Sequence, residues 1–175
     1  MIGKQDIHPG LDGESYLVRH PFGDDLIKVR ALFLDFDGVL HAAHGRPEVM
    51  REFVWLPILL KLLEPHQDMQ LVVHASARRT SHAEFIGKRL EHRSAGFAHL
   101  YAGVTPPQLD RWASIQAWLA EHPEIGSFRI LDDQAGEFPS PPPAELILCN
   151  PTQGLSALGV QTELARFLAG ASSPA

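Results

Sequence analysis

The sequence predicts an α/β domain with a parallel, doubly wound sheet, in which helices cover both faces in a three-layer arrangement. Short apolar runs alternate with helical patterns along the chain, and two of these runs end in pairs of aspartates. Apolar runs that stop abruptly in polar turns are typical of buried parallel strands. The chain has 175 residues, of which 45% are apolar and 21% charged, which indicates one folded globular domain.

Composition excludes several classes of protein. Lys and Arg total 15 against 21 Asp and Glu, so a net charge of -6 provides no global attraction to nucleic acid. Cys149 is the only cysteine, which excludes an internal disulfide and a paired-cysteine zinc site. Because no apolar stretch approaches ~18 residues and the first twenty residues lack an apolar core, we expect neither a transmembrane helix nor a signal peptide. A cytoplasmic location is therefore the expectation.

Three regions are expected along the chain. Residues 1–27 are rich in Pro, Gly and charge and predict an irregular N-terminal extension. Residues 28–169 form the predicted domain, and residues 170–175 are a tail of small residues. Two segments of this domain have room for helices and a short strand, but not for a separate domain that would cap the sheet. They run from Gly38 to the second strand and from Arg78 to Asp132.

The first half of the domain predicts two strands and two helices. Pro57 is a favourable first residue for a helix of mostly leucines. Ser81 and Glu84 have the spacing of a capping box, which predicts a second helix with Ala83, Phe85, Ile86 and Leu90 on its apolar face. The predicted strands are Val29–Leu34 and Gln70–Val73.

The second half continues the alternation. Asp110 is a good helix cap before a segment that carries Trp112, Ile115 and Trp118, and His122-Pro123 ends that helix. A last helix is expected around Leu164–Leu168. The predicted strands are Phe97–Tyr101, Phe128–Leu131 and Leu146–Cys149.

Four aspartates follow two of the predicted strands. Asp35 and Asp37 come after the first strand, and Asp132 and Asp133 close the strand that begins at Phe128. The carboxyl ends of parallel strands meet at one edge of a sheet, where these carboxylates would repel each other unless a cation lay among them. The arrangement predicts a hard divalent ion, with Mg²⁺ as the natural candidate.

Ser76 and Arg78 follow the second strand. A hydroxyl and a guanidinium suit phosphate oxygens, and we expect Gly38 to lie with them against a substrate phosphate. Each of these features alone is common in ordinary turns and caps. Their joint placement at strand ends favours a site.

These residues resemble the signature motifs of the haloacid dehalogenase-like (HAD) phosphohydrolases. More narrowly, residues 29–160 resemble the HAD domain of Swiss Army Knife RNA repair proteins and the phosphatase half of polynucleotide kinase-phosphatases. The segments that carry the resemblance are Leu32 to Leu40, Val73 to Arg78, Gly103 to Pro106, Arg111 with Ile115 and Trp118-Leu119, Ile130 to Asp133 with Phe138, and Asn150-Pro151 through Gly154-Leu155.

The resemblance implies a HAD-like fold and a Mg²⁺-dependent phosphomonoesterase that works through an aspartyl-phosphate. Asp35 would be the nucleophile, and Asp37 would be the general acid and base and would bind metal through its backbone carbonyl. Ser76 would hold phosphoryl oxygens and Arg111 would stabilise the transferring group. Asp133, supported by Asp132, would complete the metal site. Two positions depart from the narrow family, which usually has a Ser-rich run with Trp around Ser76 and Glu where this chain has Ser114.

The substrate stays open at this point. Residues 74–93 carry five Lys or Arg against two Glu, which favours a nucleic-acid end or a nucleotide, although a solvated helix face explains the charges equally well. Without a cap, this chain resembles the members of the superfamily that act on macromolecular ends, or those whose active site a partner subunit covers. A homo-oligomer is therefore one of the alternatives. The alternatives are a phosphoprotein phosphatase and a catalytically quiet binding module. His41 and His44 are expected to be solvated loop histidines.

Overall fold

In the part of the chain that the structure describes, the sheet is parallel throughout and has five strands in the order β3-β2-β1-β4-β5. A computed structural model describes residues 29–170, so the predicted extension at residues 1–27 and the tail beyond Gly170 lie outside the described residues. The strands are β1 Val29–Leu34, β2 Met69–Val73, β3 Tyr101–Val104, β4 Ile125–Asp132 and β5 Leu146–Leu148.

Helices cover both faces of the sheet, which confirms the predicted three-layer α/β architecture. Two separate apolar clusters lie on the two faces, one with residues of α1, α2 and α4 and the other with residues of α3. The helices are α1 Leu56–Leu63, α2 Ala83–Arg93, α3 Arg111–Glu121 and α4 Leu158–Leu168.

Strand β1 lies at the centre of the sheet, and its composition explains why. Its residues from Ala31 to Leu34 are all fully buried. Leu32 and Leu34 contact the α1, α2 and α4 side, whereas Phe33 contacts the α3 side and meets Trp118 edge-on at 5.5 Å between ring centroids. A strand buried on both faces needs a continuous apolar run rather than an alternating one. The chain order reverses between β1 and β4, which is the position where open α/β sheets bind ligands.

The helix between β3 and β4 matches the sequence prediction. Asp110 is its N-cap, and the Asp110 carboxylate accepts a hydrogen bond of 2.8 Å from the Ala113 N–H. His122 is its C-cap, as expected from the following proline. This helix starts at Arg111, so the Asp110 cap fixes the position of the Arg111 backbone.

Two local predictions were wrong. Helix α2 has no side-chain cap, because it begins at Ala83 with His82 as its N-cap and so leaves Ser81 one residue too early, and Glu84 pairs with Lys88. Phe85, assigned to its apolar face, is 64% exposed. The strand expected at Phe97–Tyr101 begins only at Tyr101, since Ala95–Phe97 forms a short 3-10 helix that buries Phe97 in the core. Apolar character alone does not distinguish a strand from a buried turn.

Residues 29–170 contain no separate cap domain over the carboxyl end of the sheet. Within the same range, every helix is too short or too polar to span a bilayer. The longest helices in this range have 11 residues each.

Candidate active site

Strand ends bring three carboxylates together at the β1–β4 edge. Asp35 directly follows β1, Asp132 ends β4, and Asp133 comes next. One oxygen from each of these residues lies within 4.8 Å of the others. Parallel pairing of Leu34 with Leu131 places the first two side by side, and the Asp35 N–H donates to Leu131 O at 3.1 Å. Three of the four aspartates predicted for a metal site are therefore adjacent.

Arg111 is the buried cation of this cluster. Its Nη1 donates to Asp35 Oδ2 at 2.5 Å and also to Asp132 Oδ2, while its Nε lies 3.9 Å from Glu137 Oε2. Burial opposes the charge of the guanidinium, but the Asp35 and Asp132 carboxylates outweigh it and raise the pKa of Arg111. The motif assignment predicted Arg111 at this position.

Burial dominates the electrostatics of the carboxylates. It raises the pKa of Asp35 to about 7, and the Asp132 charge adds to this effect while Arg111 opposes it. Burial likewise raises the pKa of both Asp132 and Asp133. One guanidinium thus compensates only part of the negative charge, and an additional cation would favour the ionised carboxylates.

Asp37 differs from the other three aspartates. Its side chain is 72% exposed and lies outside the carboxylate cluster found among the described residues. Its Oδ1 is 3.1 Å from His41 Nε2. The Asp37 carboxylate is thus separate from the other three, and the metal contact predicted for this residue, through its backbone carbonyl, stays a prediction.

Gly38 allows Asp133 to approach the loop after β1. Its φ of +71° lies in the left-handed region, which favours glycine. A Cβ built on Gly38 would overlap the Asp133 carboxyl group. The glycine is required by this close approach, and its predicted contact with a substrate phosphate stays a prediction.

Ser76 and Arg78 both belong to a short 3-10 helix, Ser76–Arg79, that follows β2. Ser76 is exposed at its start. Arg78 is buried, and its guanidinium donates to the carbonyls of His74, Ala75 and Leu109. Three of its five N–H donors thus brace the backbone, and its predicted contact with a substrate phosphate stays a prediction.

Ser114 stands where the narrow family tends to have Glu. The Ser114 hydroxyl donates to Arg111 O at 2.8 Å and lies 3.0 Å from the buried Thr105 Oγ1. Thr105 in turn donates its N–H to Val73 O at 3.0 Å. Ser114 thus provides a polar link between the residue after β3 and the start of α3, and Arg111 lies at the site.

The late motif, Asn150-Pro151 through Gly154-Leu155, supports the loop after β1. The Leu155 N–H donates to Val39 O at 3.0 Å, and the Ala43 N–H donates to Pro151 O at 2.8 Å. Gly154 has a φ of +43°, and a Cβ there would overlap Trp55 and Val39 O. The motif therefore holds the Asp35–Asp37 loop from outside the site.

Sequence reasoning missed His74 and misjudged His41. His74 is fully buried; its Nε2 lies 3.4 Å from Leu131 O and its Nδ1 lies 3.6 Å from Asp132 Oδ2. Burial lowers the pKa of His74 to about 3, so the ring is neutral. His41 is only 14% exposed and contacts Asp37, contrary to a solvated loop histidine. Its spacing four residues after Asp37 is a signal that could have found it.

The basic segment 74–93 is largely paired in the structure. Arg89 and Arg93 both contact Glu52, and Lys88 contacts Glu84. Arg79 is exposed, and its Nη2 donates to Leu109 O at 3.4 Å. Of the five cations counted in the sequence, Arg79 is the exposed one in the same 3-10 helix as Ser76.

Comparison with known proteins gives one match. The family of the HAD domain in Swiss Army Knife RNA repair proteins matches residues 31–160. No curated protein and no solved structure matches the chain. The matched range begins in β1 and ends in α4, so it contains most of β1, the other four strands and every site residue discussed above.

Proposed function

The chain belongs to the family of HAD domains found in Swiss Army Knife RNA repair proteins, and from this membership we propose a Mg²⁺-dependent phosphomonoesterase that works through an aspartyl-phosphate on Asp35. Phosphohydrolase activity in general follows from the family. The observation that carries the specific proposal is the contact of Arg111 with Asp35 inside a cluster of three carboxylates.

The residues of the cluster fit a divalent metal ion. Three carboxylates with one guanidinium in contact leave excess negative charge at a buried position. Asp133 Oδ1 is buried and has no hydrogen-bond partner, although buried polar atoms are normally paired. Carboxylate oxygens are the ligands that Mg²⁺ prefers, so Asp35 and Asp133 would hold the ion with support from Asp132. When bound, the ion would neutralise the nucleophile and the phosphate.

Asp35 is the proposed nucleophile. Its carboxylate oxygen attacks phosphorus, the bond from phosphorus to the leaving alcohol oxygen breaks, and Asp37 donates a proton to that oxygen. Asp37 then takes a proton from water, the water oxygen attacks phosphorus, and the bond to Asp35 breaks to release phosphate. The backbone N–H of Phe36 donates to Asp35 Oδ1 at 2.9 Å, which fixes the orientation of the carboxylate.

Arg111 and Ser76 supply the remaining polar groups. Arg111 is buried and pre-positioned by the cap of α3, so its charge needs little reorganisation when negative charge moves from Asp35 to the transferring group. Ser76 is exposed at the start of the 3-10 helix that follows β2, and its hydroxyl can donate to a phosphoryl oxygen. Arg78 braces the backbone of this segment with three N–H donors, and its Nε–H, which has no partner among the described residues, is a donor left for a phosphate.

We assign the substrate class to phosphorylated nucleic-acid ends. The family description supports it, since these domains occur in RNA repair proteins. Residues 29–170 have no cap domain that would exclude a polymer. Side chains three apart in a 3-10 helix eclipse each other, which places the exposed Arg79 on the side of Ser76, where a neighbouring phosphate would lie. A cytoplasmic location fits the single, buried cysteine.

The experiment uses the purified chain with Mg²⁺ and three substrates: an aryl phosphate and oligonucleotides with a 3′- or a 5′-phosphate. We expect phosphate release from the aryl phosphate and from at least one oligonucleotide. For one of the two oligonucleotides, kcat/KM should be higher than for the aryl phosphate. Loss of activity with EDTA and recovery with Mg²⁺ would support the metal. Activity confined to the aryl phosphate would overturn the nucleic-acid assignment, and no phosphate release from any substrate would overturn the phosphatase.

A further inference from the structure

The loop after β1 places a histidine against the proposed acid and base. His41 Nε2 lies 3.1 Å from Asp37 Oδ1. The imidazole is 14% exposed, while the carboxylate it contacts is 72% exposed. An isolated backbone bridge also joins Asp37 and His41. The His41 side chain is therefore fixed by its surroundings, whereas the Asp37 carboxylate is exposed.

A backbone N–H determines which nitrogen of this ring carries the proton. The Phe53 N–H donates to His41 Nδ1 at 3.5 Å. A ring nitrogen that accepts a hydrogen bond carries no proton, so in the neutral imidazole the proton is on Nε2. Nε2–H then donates to the Asp37 carboxylate. The contact has a defined direction, from His41 to Asp37.

Phe53 adopts a strained backbone at this point. Its φ of +56° lies in the left-handed region, which bulky residues rarely adopt. Such a conformation is unfavourable and persists only where surrounding packing enforces it. The buried Phe53 ring packs edge-on against Phe36 at 4.9 Å and against His41 at 5.8 Å, and the Arg89 guanidinium lies 5.5 Å from its centroid. The strained residue is the one whose N–H orients His41.

We propose that His41 is a positioning residue for Asp37. By donating from Nε2 to Oδ1, it fixes the rotation of an otherwise exposed carboxylate and leaves Oδ2 for the proton exchanged with the leaving alcohol and with water. Phe53 supports this role by setting the tautomer of His41. The inference rests on the proposed function, because it assigns a partner to the acid and base of that reaction.

Substitution at position 41 tests the role kinetically. His41→Leu removes the donor, and His41→Gln keeps an N–H at a similar reach; His44→Leu, in the same loop but exposed, is the matched control. Each variant is assayed on an alkyl phosphate, whose leaving group needs a proton, and on a nitrophenyl phosphate, whose leaving group needs little. We expect His41→Leu to lower kcat about tenfold on the alkyl phosphate, with KM within about twofold and a much smaller loss on the aryl phosphate.

The outcomes separate this inference from the proposed function. Recovery of alkyl-phosphate kcat in His41→Gln, with His44→Leu like the unchanged protein, supports positioning. Equal losses on both substrates, or no loss, overturn the role of His41 while the phosphatase stands. An unchanged protein that is inert on both substrates overturns the phosphatase and this inference with it.

The tautomer can be measured without activity. Nitrogen-15 NMR of the metal-free protein distinguishes a protonated ring nitrogen from an unprotonated one. We expect the neutral His41 ring to carry its proton on Nε2. A proton on Nδ1 would contradict the contact with Phe53 and overturn the inference even if a position-41 variant fails to fold.

Discussion

Arg111 Nη1 lies 2.5 Å from Asp35 Oδ2 and also donates to Asp132 Oδ2. A single nitrogen from the first residue of α3 thereby joins the carboxyl ends of β1 and β4. Both carboxylates are buried, and they would repel each other without this cation. The Asp110 cap, which fixes the start of α3, therefore also positions Arg111 in the site.

Arg111→Met tests this contact. The substitution keeps apolar volume but removes the charge, so we expect a loss of about 10²- to 10³-fold in kcat, which is typical of removing one pre-organised electrostatic contact. In EDTA at pH 8 it also leaves buried carboxylates without a partner, which we expect to cost about 3–5 kcal/mol of unfolding free energy. Kinetics and denaturant unfolding measure the two effects.

Arg46→Met is the control for this variant, because Arg46 is exposed in the loop after β1. It should leave both activity and stability nearly unchanged. An Arg111→Met protein that retains full kcat would show that the buried contact is structural only.

Gly38→Ala tests the close approach of Asp133 to the loop. The added methyl would overlap the Asp133 carboxyl group, and the positive φ adds strain. We expect a loss of about 1–3 kcal/mol in stability together with weaker Mg²⁺ binding, since Asp133 must move. Calorimetric titration with Mg²⁺ and thermal unfolding measure these changes.

Gly136→Ala is the matched substitution, because a Cβ at Gly136 meets no atom within 4 Å. It should bind Mg²⁺ like the unchanged protein. Equal Mg²⁺ affinity in both alanine variants would argue against Asp133 as a ligand.

Arg79→Ala tests the assignment to nucleic-acid ends. Arg79 is exposed in the same 3-10 helix as Ser76, so we expect its loss to raise KM for a phosphorylated oligonucleotide several-fold and to reduce the dependence of KM on salt. KM for an aryl phosphate should not change. Lys88→Ala removes the same charge from an exposed pair on α2 and should have no effect on either substrate. If both variants behave alike on the oligonucleotide, Arg79 does not contact the substrate.

Asp68→Asn tests a structural ion pair far from the site. Arg30 donates to both oxygens of Asp68 and to the carbonyls of Phe167 and Leu168 at the end of α4. The hydrogen bond from Arg30 lowers the pKa of Asp68 below its ordinary value of 3.8. A lowered carboxyl pKa gives stability that is complete above the unfolded pKa and is lost as pH falls through the folded one.

We therefore expect Asp68→Asn to cost about 1–2 kcal/mol at pH 6 and to show a smaller difference from the unchanged protein below pH 3.8. Denaturant unfolding at several pH values measures this. Glu91→Gln, at an exposed position of α2, should show no such trend. A difference that stays constant with pH would contradict the pairing.

Much of the fold and of the site could be predicted from the sequence, for physical reasons. Strand β1 was predicted at its observed bounds, because a strand buried on both faces must be continuously apolar. Asp35, Asp132 and Asp133 were placed together because parallel strands end at one edge. Arg111 was identified through its motif, and the Asp110 cap predicted where α3 begins.

The remaining errors concern contacts that have no local signature. Arg78 donates to backbone carbonyls, whereas Arg111 contacts Asp35. The sequence does not distinguish these two roles, because they depend on tertiary packing. Arg89 belongs to the basic segment 74–93, but it pairs with Glu52, which is distant in sequence. The role of His41 depends on the unusual backbone of Phe53, which no residue pattern indicates.

The central claim is that Asp35 carries the phosphoryl group. Beryllofluoride mimics an aspartyl-phosphate, and fluorine NMR detects its bound form. We predict Mg²⁺-dependent bound resonances in the unchanged protein and in Gly136→Ala, and none in Asp35→Asn. Bound resonances that persist in Asp35→Asn, or their absence from the unchanged protein with Mg²⁺, would contradict the account.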